Sequence, residues 1–135
     1  MKPRILVVED NALSRELLCD WLEIEGYEVA STADMKAAFA AVRSHRPDAV
    51  LLDIQVGDDD GLALATWMRQ EPAFREIPVI AVTAHAMADE QQRILQFGCN
   101  ACLSKPIDFA ALRKQLHLSL RSVGISQAAS ILEKP

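Results

Sequence analysis

Three uninterrupted apolar runs limit the folds open to this chain: Ile5-Leu6-Val7-Val8, Ala49-Val50-Leu51-Leu52 and Val79-Ile80-Ala81-Val82. A strand with one wet face alternates apolar and polar residues, whereas a strand covered on both faces reads as a short continuous apolar stretch. Weaker stretches near Tyr27–Ala30 and Ala101–Leu103 bring the candidate strands to five.

Helical patterns separate the runs. Leu17, Leu18, Trp21 and Leu22 recur on one helical face, as do Met35, Ala38, Phe39 and Val42. A third segment from about Gly61 to Gln70 would bury Leu62, Ala65 and Met68, a fourth from about Asp89 to Phe97 offers Ile94 and Phe97, and a fifth carries Phe109, Leu112, Leu116 and Leu120. Gly26, Pro47, Pro78 and Gly98 fall at the expected boundaries, and Asp108 suits the N-cap of the fifth helix. Strands alternating with crossover helices predict an α/β fold, a parallel sheet doubly wound with helices on both faces.

A chain of 135 residues, 50% hydrophobic and 24% charged, is long enough for one packed domain. The pattern fills residues 1–121 and leaves 122–135, with Gly124 and scattered serines, as a tail or linker remnant. A formal charge of -5 argues against direct binding to nucleic-acid phosphates. The first apolar run stops at Glu9, too short for a signal peptide or a membrane span, so a cytoplasmic location is expected. Cys19, Cys99 and Cys102 are too few for a disulfide scaffold, and the Cys99-Asn100-Ala101-Cys102 spacing lacks the context of a redox helix or a second metal-binding pair. Trp21, Phe39 and Trp67 read as packing, and His45 and His117 as surface residues.

In open parallel sheets ligands bind beyond the carboxyl ends of the strands. Here the first run ends in Glu9-Asp10, the third in Asp53, the fourth in Thr83 and the fifth in Ser104-Lys105-Pro106. Carboxylates gathered in one cleft repel one another until a cation neutralises them. An oxygen-only donor set suits Mg2+, which binds through one or two carboxylates together with phosphate oxygens. A carboxylate can also act as nucleophile towards phosphorus while a metal and a lysine neutralise the transferring group. Asp53, central in the sheet, is the best-placed nucleophile.

Val7-Val8-Glu9-Asp10-Asn11, Leu51-Leu52-Asp53-Ile54, Asp60-Gly61, Ala81-Val82-Thr83-Ala84 and Leu103-Ser104-Lys105-Pro106, in that order, resemble the receiver domains of two-component response regulators over about Arg4 to Leu120. The resemblance implies a flavodoxin-like five-stranded parallel sheet in the order 2-1-3-4-5 with five helices. It implies phosphorylation of Asp53, Mg2+ (with Mn2+ as a substitute) held by Asp10, Asp53 and the Gln55 backbone carbonyl, and Glu9 acting through water. Lys105 and Thr83 would bind the phosphoryl oxygens, Ala84 would leave access to them, and Lys105-Pro106 would be a cis peptide. Gln55 and His85 match positions that tune dephosphorylation. The implied role is a phospho-accepting module that is not an enzyme in the ordinary sense, although it catalyses its own phosphorylation and dephosphorylation. Its partners would be a histidine kinase or histidine phosphotransfer protein and a downstream protein target, with the chain a monomer or a phosphorylation-dependent dimer.

Two positions depart from the pattern. Cys102 stands where receivers commonly place a Tyr or Phe that turns inward with the Thr83 position, so the aromatic half of the switch is absent. Gly57 replaces a usual proline and precedes the acidic run Asp58-Asp59-Asp60, which predicts a more flexible and more negative loop, read as solvated ahead of a ligand cluster, with its nearness to Asp53 keeping the second reading open. Alternatives are a receiver cut from a hybrid sensor kinase or multidomain regulator, and an aspartyl-phosphate phosphatase. The phosphatase would place a second Asp where Gln55 stands. A flavin carrier would place a glycine- and hydroxyl-rich loop where Glu9-Asp10-Asn11 stands.

Overall fold

The computed structural model describes residues 2–85 and 87–122. The elements in chain order are β1 (Arg4–Val8), α1 (Ala12–Ile24), β2 (Glu28–Thr32), α2 (Met35–His45), β3 (Ala49–Asp53), β4 (Gln55–Val56), β5 (Asp59–Asp60), α3 (Leu62–Gln70), β6 (Val79–Thr83), α4 (Ala88–Gln96), β7 (Ala101–Ser104) and α5 (Phe109–Ser122). The continuous apolar runs became the three central strands, and almost every residue in them is buried. β2 and β7 lie at the edges, where one side of the ladder is open, and their residues are only half covered. That position explains their weaker sequence signal.

All pairings in the main sheet are parallel, in the order β2-β1-β3-β6-β7. Among the five long strands this is the expected 2-1-3-4-5. The numbering departs only because a short antiparallel hairpin, β4–β5, forms a second sheet where a flexible loop was expected. Gly57 makes that hairpin possible by adopting φ +62 at its tip, a left-handed conformation closed to proline.

Alternate residues of each strand point to opposite faces. Leu6, Val8, Val50, Leu52, Val79 and Ala81 pack with α2, α3 and Ile94 of α4. Ile5, Val7, Leu51, Ile80 and Val82 pack with Leu18 and Leu22 of α1 and Leu112, Leu116 and Leu120 of α5. Two helix-face expectations are corrected. Phe97 is 44% exposed, because α4 ends there and its ring lies under the Arg93 guanidinium, and Leu17 is exposed on the outer side of α1. The capping residues match their roles: Asn11 Oδ1 accepts from the Ser14 amide at 3.0 Å, Asp34 Oδ1 from Ala37 at 2.7 Å and Asp108 Oδ1 from Ala110 at 2.9 Å.

The lower edge is tied by Arg69. Its guanidinium donates to the carbonyls of Gly98 (2.8 Å), Arg75 (2.6 Å) and Ile77 (2.8 Å) and to Asn100 Oδ1 (3.0 Å). Burial holds its pKa below the ordinary arginine value, and backbone dipoles rather than a carboxylate receive its charge. Ser122 closes α5 rather than opening the tail, and residues 123–135 of the expected tail lie outside the described residues. Among the described residues no helix is long and apolar enough to cross a membrane.

Candidate functional site

The carboxyl ends of β1, β3, β6 and β7 open into one cleft of about 540 Å³. Parallel pairing brings β1 and β6 to either side of β3, so Glu9, Asp53 and Thr83 arrive from adjacent strands, and Lys105 follows the outer strand β7. Ligand oxygens of Glu9, Asp10 and Asp53 lie within 4.8 Å of one another. Lys105 Nζ stands between two of these carboxylates, 3.2 Å from Asp53 Oδ2 and 3.4 Å from Glu9 Oε1.

Each carboxylate is held. Asp53 Oδ1 accepts from the Gln55 amide at 3.2 Å, leaving Oδ2 to face Lys105. Glu9 Oε2 accepts from the Asn11 amide at 3.2 Å, and the Glu9 carbonyl accepts from Arg15 Nη1 at 2.9 Å. Asp10 is exposed, and its Oδ2 accepts from the Gly57 amide at 2.8 Å. A proline at position 57 has no such amide, so this departure from the family adds a hydrogen bond to the site.

Burial of Glu9, assisted by a side-chain hydrogen bond and charge repulsion from Asp53, raises its pKa from 4.5 to about 7, against the lowering influence of the Asn11 amide and Lys105. Desolvation works against the Lys105 ammonium, but Asp53 and Glu9 outweigh it and hold its pKa above the ordinary lysine value. The cleft thus carries excess negative charge that one lysine does not cancel. An oxygen donor set of this kind fits a hard divalent cation.

The other expected residues fall around the same opening. Thr83 is buried, and its Oγ1 accepts from the His85 amide at 3.0 Å. Ala84 and His85 are exposed and line the cleft with Gln55. Lys105-Pro106 is a cis peptide. Cys102 is half-buried, paired in register with Ala81, and packs against the core on the α2–α3–α4 side. Neighbouring Cys99 is buried, and burial pushes its thiol up to about 12 and raises that of Cys102, which favours the protonated thiol at both.

The reading of the acidic run as a solvated loop misses Asp60. Its Oδ1 accepts from the Leu62 amide at 2.9 Å at the start of α3, and its Oδ2 meets Arg93 Nη2 of α4 at 2.6 Å. Arg93 also reaches Glu90 at 3.3 Å, and both line the cleft wall. Residues 33 apart in sequence leave no local pattern that would reveal such a pair. Gly61 is required by close approach: a Cβ there would collide with the Asp53 carbonyl and crowd that of Ile54.

Comparison with known proteins agrees with this geometry. Residues 5–117 match the family model of the response regulator receiver domain. The chain belongs to that family. As a receiver it is 44% identical over 107 residues to the polar-differentiation response regulator DivK of Brucella anthropi, a match covering 79% of this chain and 87% of that protein. The receiver domain of the sensor histidine kinase PA1611 from Pseudomonas aeruginosa superposes with a TM-score of 0.81 at 32% identity, covering 89% of this chain and 98% of that one. It holds a magnesium ion in its active-site cleft. The receiver of a signal-transduction histidine kinase from Syntrophus aciditrophicus gives a TM-score of 0.82 at 30% identity over 90% of this chain and 92% of that chain. The protein is a receiver domain of two-component signal transduction.

Proposed function

We infer that this receiver takes a phosphoryl group onto Asp53 from a phosphohistidine of a histidine kinase or histidine phosphotransfer protein, and that the modification alters a surface read by a protein target. The observation that carries the reading is the arrangement around Asp53: one oxygen fixed by the Gln55 amide, the other facing Lys105, with Glu9 and Asp10 alongside. A carboxylate held at one oxygen, with the other turned towards a cation that can neutralise the incoming group, is a preorganised nucleophile.

In the reaction Asp53 Oδ2 forms a bond to phosphorus while the bond from phosphorus to the donor nitrogen breaks. Glu9, Asp10, Asp53 and the Gln55 carbonyl are the residues that would hold Mg2+, with Mn2+ as a substitute. When bound, the ion supplies positive charge against the phosphoryl oxygens. Lys105 supplies a second positive charge to those oxygens, and the Thr83 hydroxyl exchanges its local partner for one of them. Small Ala84 leaves the group accessible, while Gln55 and His85 flank the approach of water and set the lifetime of the phosphoryl group. The domain thereby promotes both its phosphorylation and its dephosphorylation. Phosphorylation adds charge and strong acceptors beside β6 and β7, and the strands respond without the aromatic ring that Cys102 replaces.

Incubation with acetyl phosphate tests the reading, with intact mass followed over time. The expected result is one phosphoryl group per chain in Mg2+, none in chelator and none in Asp53→Asn. Incorporation that ignores the metal contradicts it.

A further inference from the structure

α4 is attached by few apolar contacts. Ile94 is its one buried side chain among the described residues, while Leu95 and the flanking Met87 and Phe97 are exposed. The remaining ties are polar. Beyond its last turn, Thr66 Oγ1 donates to the Phe97 carbonyl at 3.1 Å and Arg69 Nε to the Gly98 carbonyl. Along its length Arg93 pairs with Asp60 across the cleft wall.

Asp60 is the last residue of the β4–β5 hairpin and pairs in register with Gln55. The hairpin in turn holds two of the cleft carboxylates, through the Gln55 amide on Asp53 and the Gly57 amide on Asp10. A continuous set of contacts therefore runs from α4 through Arg93 and Asp60 into the hairpin and on to the acidic site. We propose that Arg93 is a positioning residue for the cation site: by clamping Asp60 it fixes the β4–β5 hairpin against Asp10 and Asp53, coupling cation affinity to the placement of α4.

This inference rests on the reading of Glu9, Asp10 and Asp53 as cation ligands. Coupling between sites is reciprocal, so a cation that gains from the clamped hairpin also strengthens the hold on α4. The route does not pass through position 102, where the aromatic ring is absent.

The sign of the effect separates positioning from charge. Arg93 is a cation on the wall of an acidic cleft, so through-space electrostatics alone makes Arg93→Gln bind Mg2+ more tightly. Loss of positioning makes it bind more weakly. The test is calorimetric titration of Mg2+ into the full chain for the wild type, Arg93→Gln, Arg93→Lys, Asp60→Asn and the Asp60→Asn/Arg93→Gln double variant. Asn at 60 keeps the acceptor for the Leu62 amide and removes the charge.

The expected weakening for Arg93→Gln is about three- to fivefold, modest because both partners are near half-exposed. Arg93→Lys recovers part of the loss, and the double variant is no weaker than Asp60→Asn alone. Hydrogen exchange of the α4 amides slows on Mg2+ addition in the wild type and does not in Arg93→Gln, with thermal melts confirming that each variant is folded. Wild-type binding with Arg93→Gln equal or tighter overturns this inference alone. Absence of Mg2+ binding by the wild type overturns the cation-site reading and the inference with it.

Discussion

Glu9→Gln without divalent cations is expected to stabilise the fold at alkaline pH. The carboxyl of Glu9 is buried beside Asp53, and its pKa stands at about 7 against an ordinary 4.5. For an acid raised on folding, the native state favours the protonated form. Its stabilising contribution is fully present below the unfolded value near 4.5, declines as pH rises, and is lost once pH passes the folded value near 7. The interval corresponds to about 3 kcal/mol as an upper bound, at about 1.4 kcal/mol per pH unit. Gln has the same shape and stays neutral, so it holds the contribution at every pH. Lys105 is charged in both states across this window and adds no slope of its own. Urea unfolding followed by the fluorescence of Trp21 and Trp67, in chelator between pH 4.5 and 8.5, reads the difference. The two proteins should coincide near pH 4.5 and diverge in favour of Glu9→Gln, by up to about 3 kcal/mol above pH 7. Parallel curves, or a variant less stable at pH 8, would refute the assignment of the raised pKa to Glu9.

Three further outcomes follow from contacts on the cleft and the lower edge. Gly61→Ala drives a Cβ into the Asp53 carbonyl and should cost about 2–3 kcal/mol in chemical denaturation, with slower phosphorylation by acetyl phosphate in the folded fraction. Arg69→Met strands the carbonyls of Gly98 and Ile77 at the base of β6 and β7, and a loss of about 2–3 kcal/mol should appear as a lower Tm. Lys105→Met removes the cation facing Asp53 and should slow phosphorylation by about 10²–10³-fold while the far-ultraviolet circular dichroism stays unchanged.

The strand framework was legible because Ile5–Val8, Ala49–Leu52 and Val79–Val82 sit in the middle of a sheet covered on both faces, an environment that tolerates little but apolar residues. Glu9, Asp53, Thr83 and Lys105 were legible as a group because a parallel sheet delivers every strand end to one edge, so adjacency follows from topology without knowledge of side-chain positions. The β4–β5 hairpin was hidden, since Asp58-Asp59-Asp60 has the composition of a solvated loop and its pairing depends on a positive φ at Gly57. The Asp60–Arg93 contact was hidden for a different reason. It joins the β4–β5 hairpin to a helix with only one buried residue among the described residues, and no periodicity on α4 marks the arginine as more than a surface charge. Phe97 misled because helical spacing cannot tell a residue inside the last turn from one just beyond it.

The proposed role of Asp53 is that of phosphoryl acceptor in a cation-dependent site. Peptide mapping by mass spectrometry after phosphorylation with acetyl phosphate and Mg2+, with the acyl phosphate trapped by borohydride, tests it most directly. The expected result is modification confined to Asp53 in the peptide spanning β3, absent when Mg2+ is chelated. Modification at Glu9, Asp10 or the 58–60 run, or at Asp53 regardless of Mg2+, would contradict it.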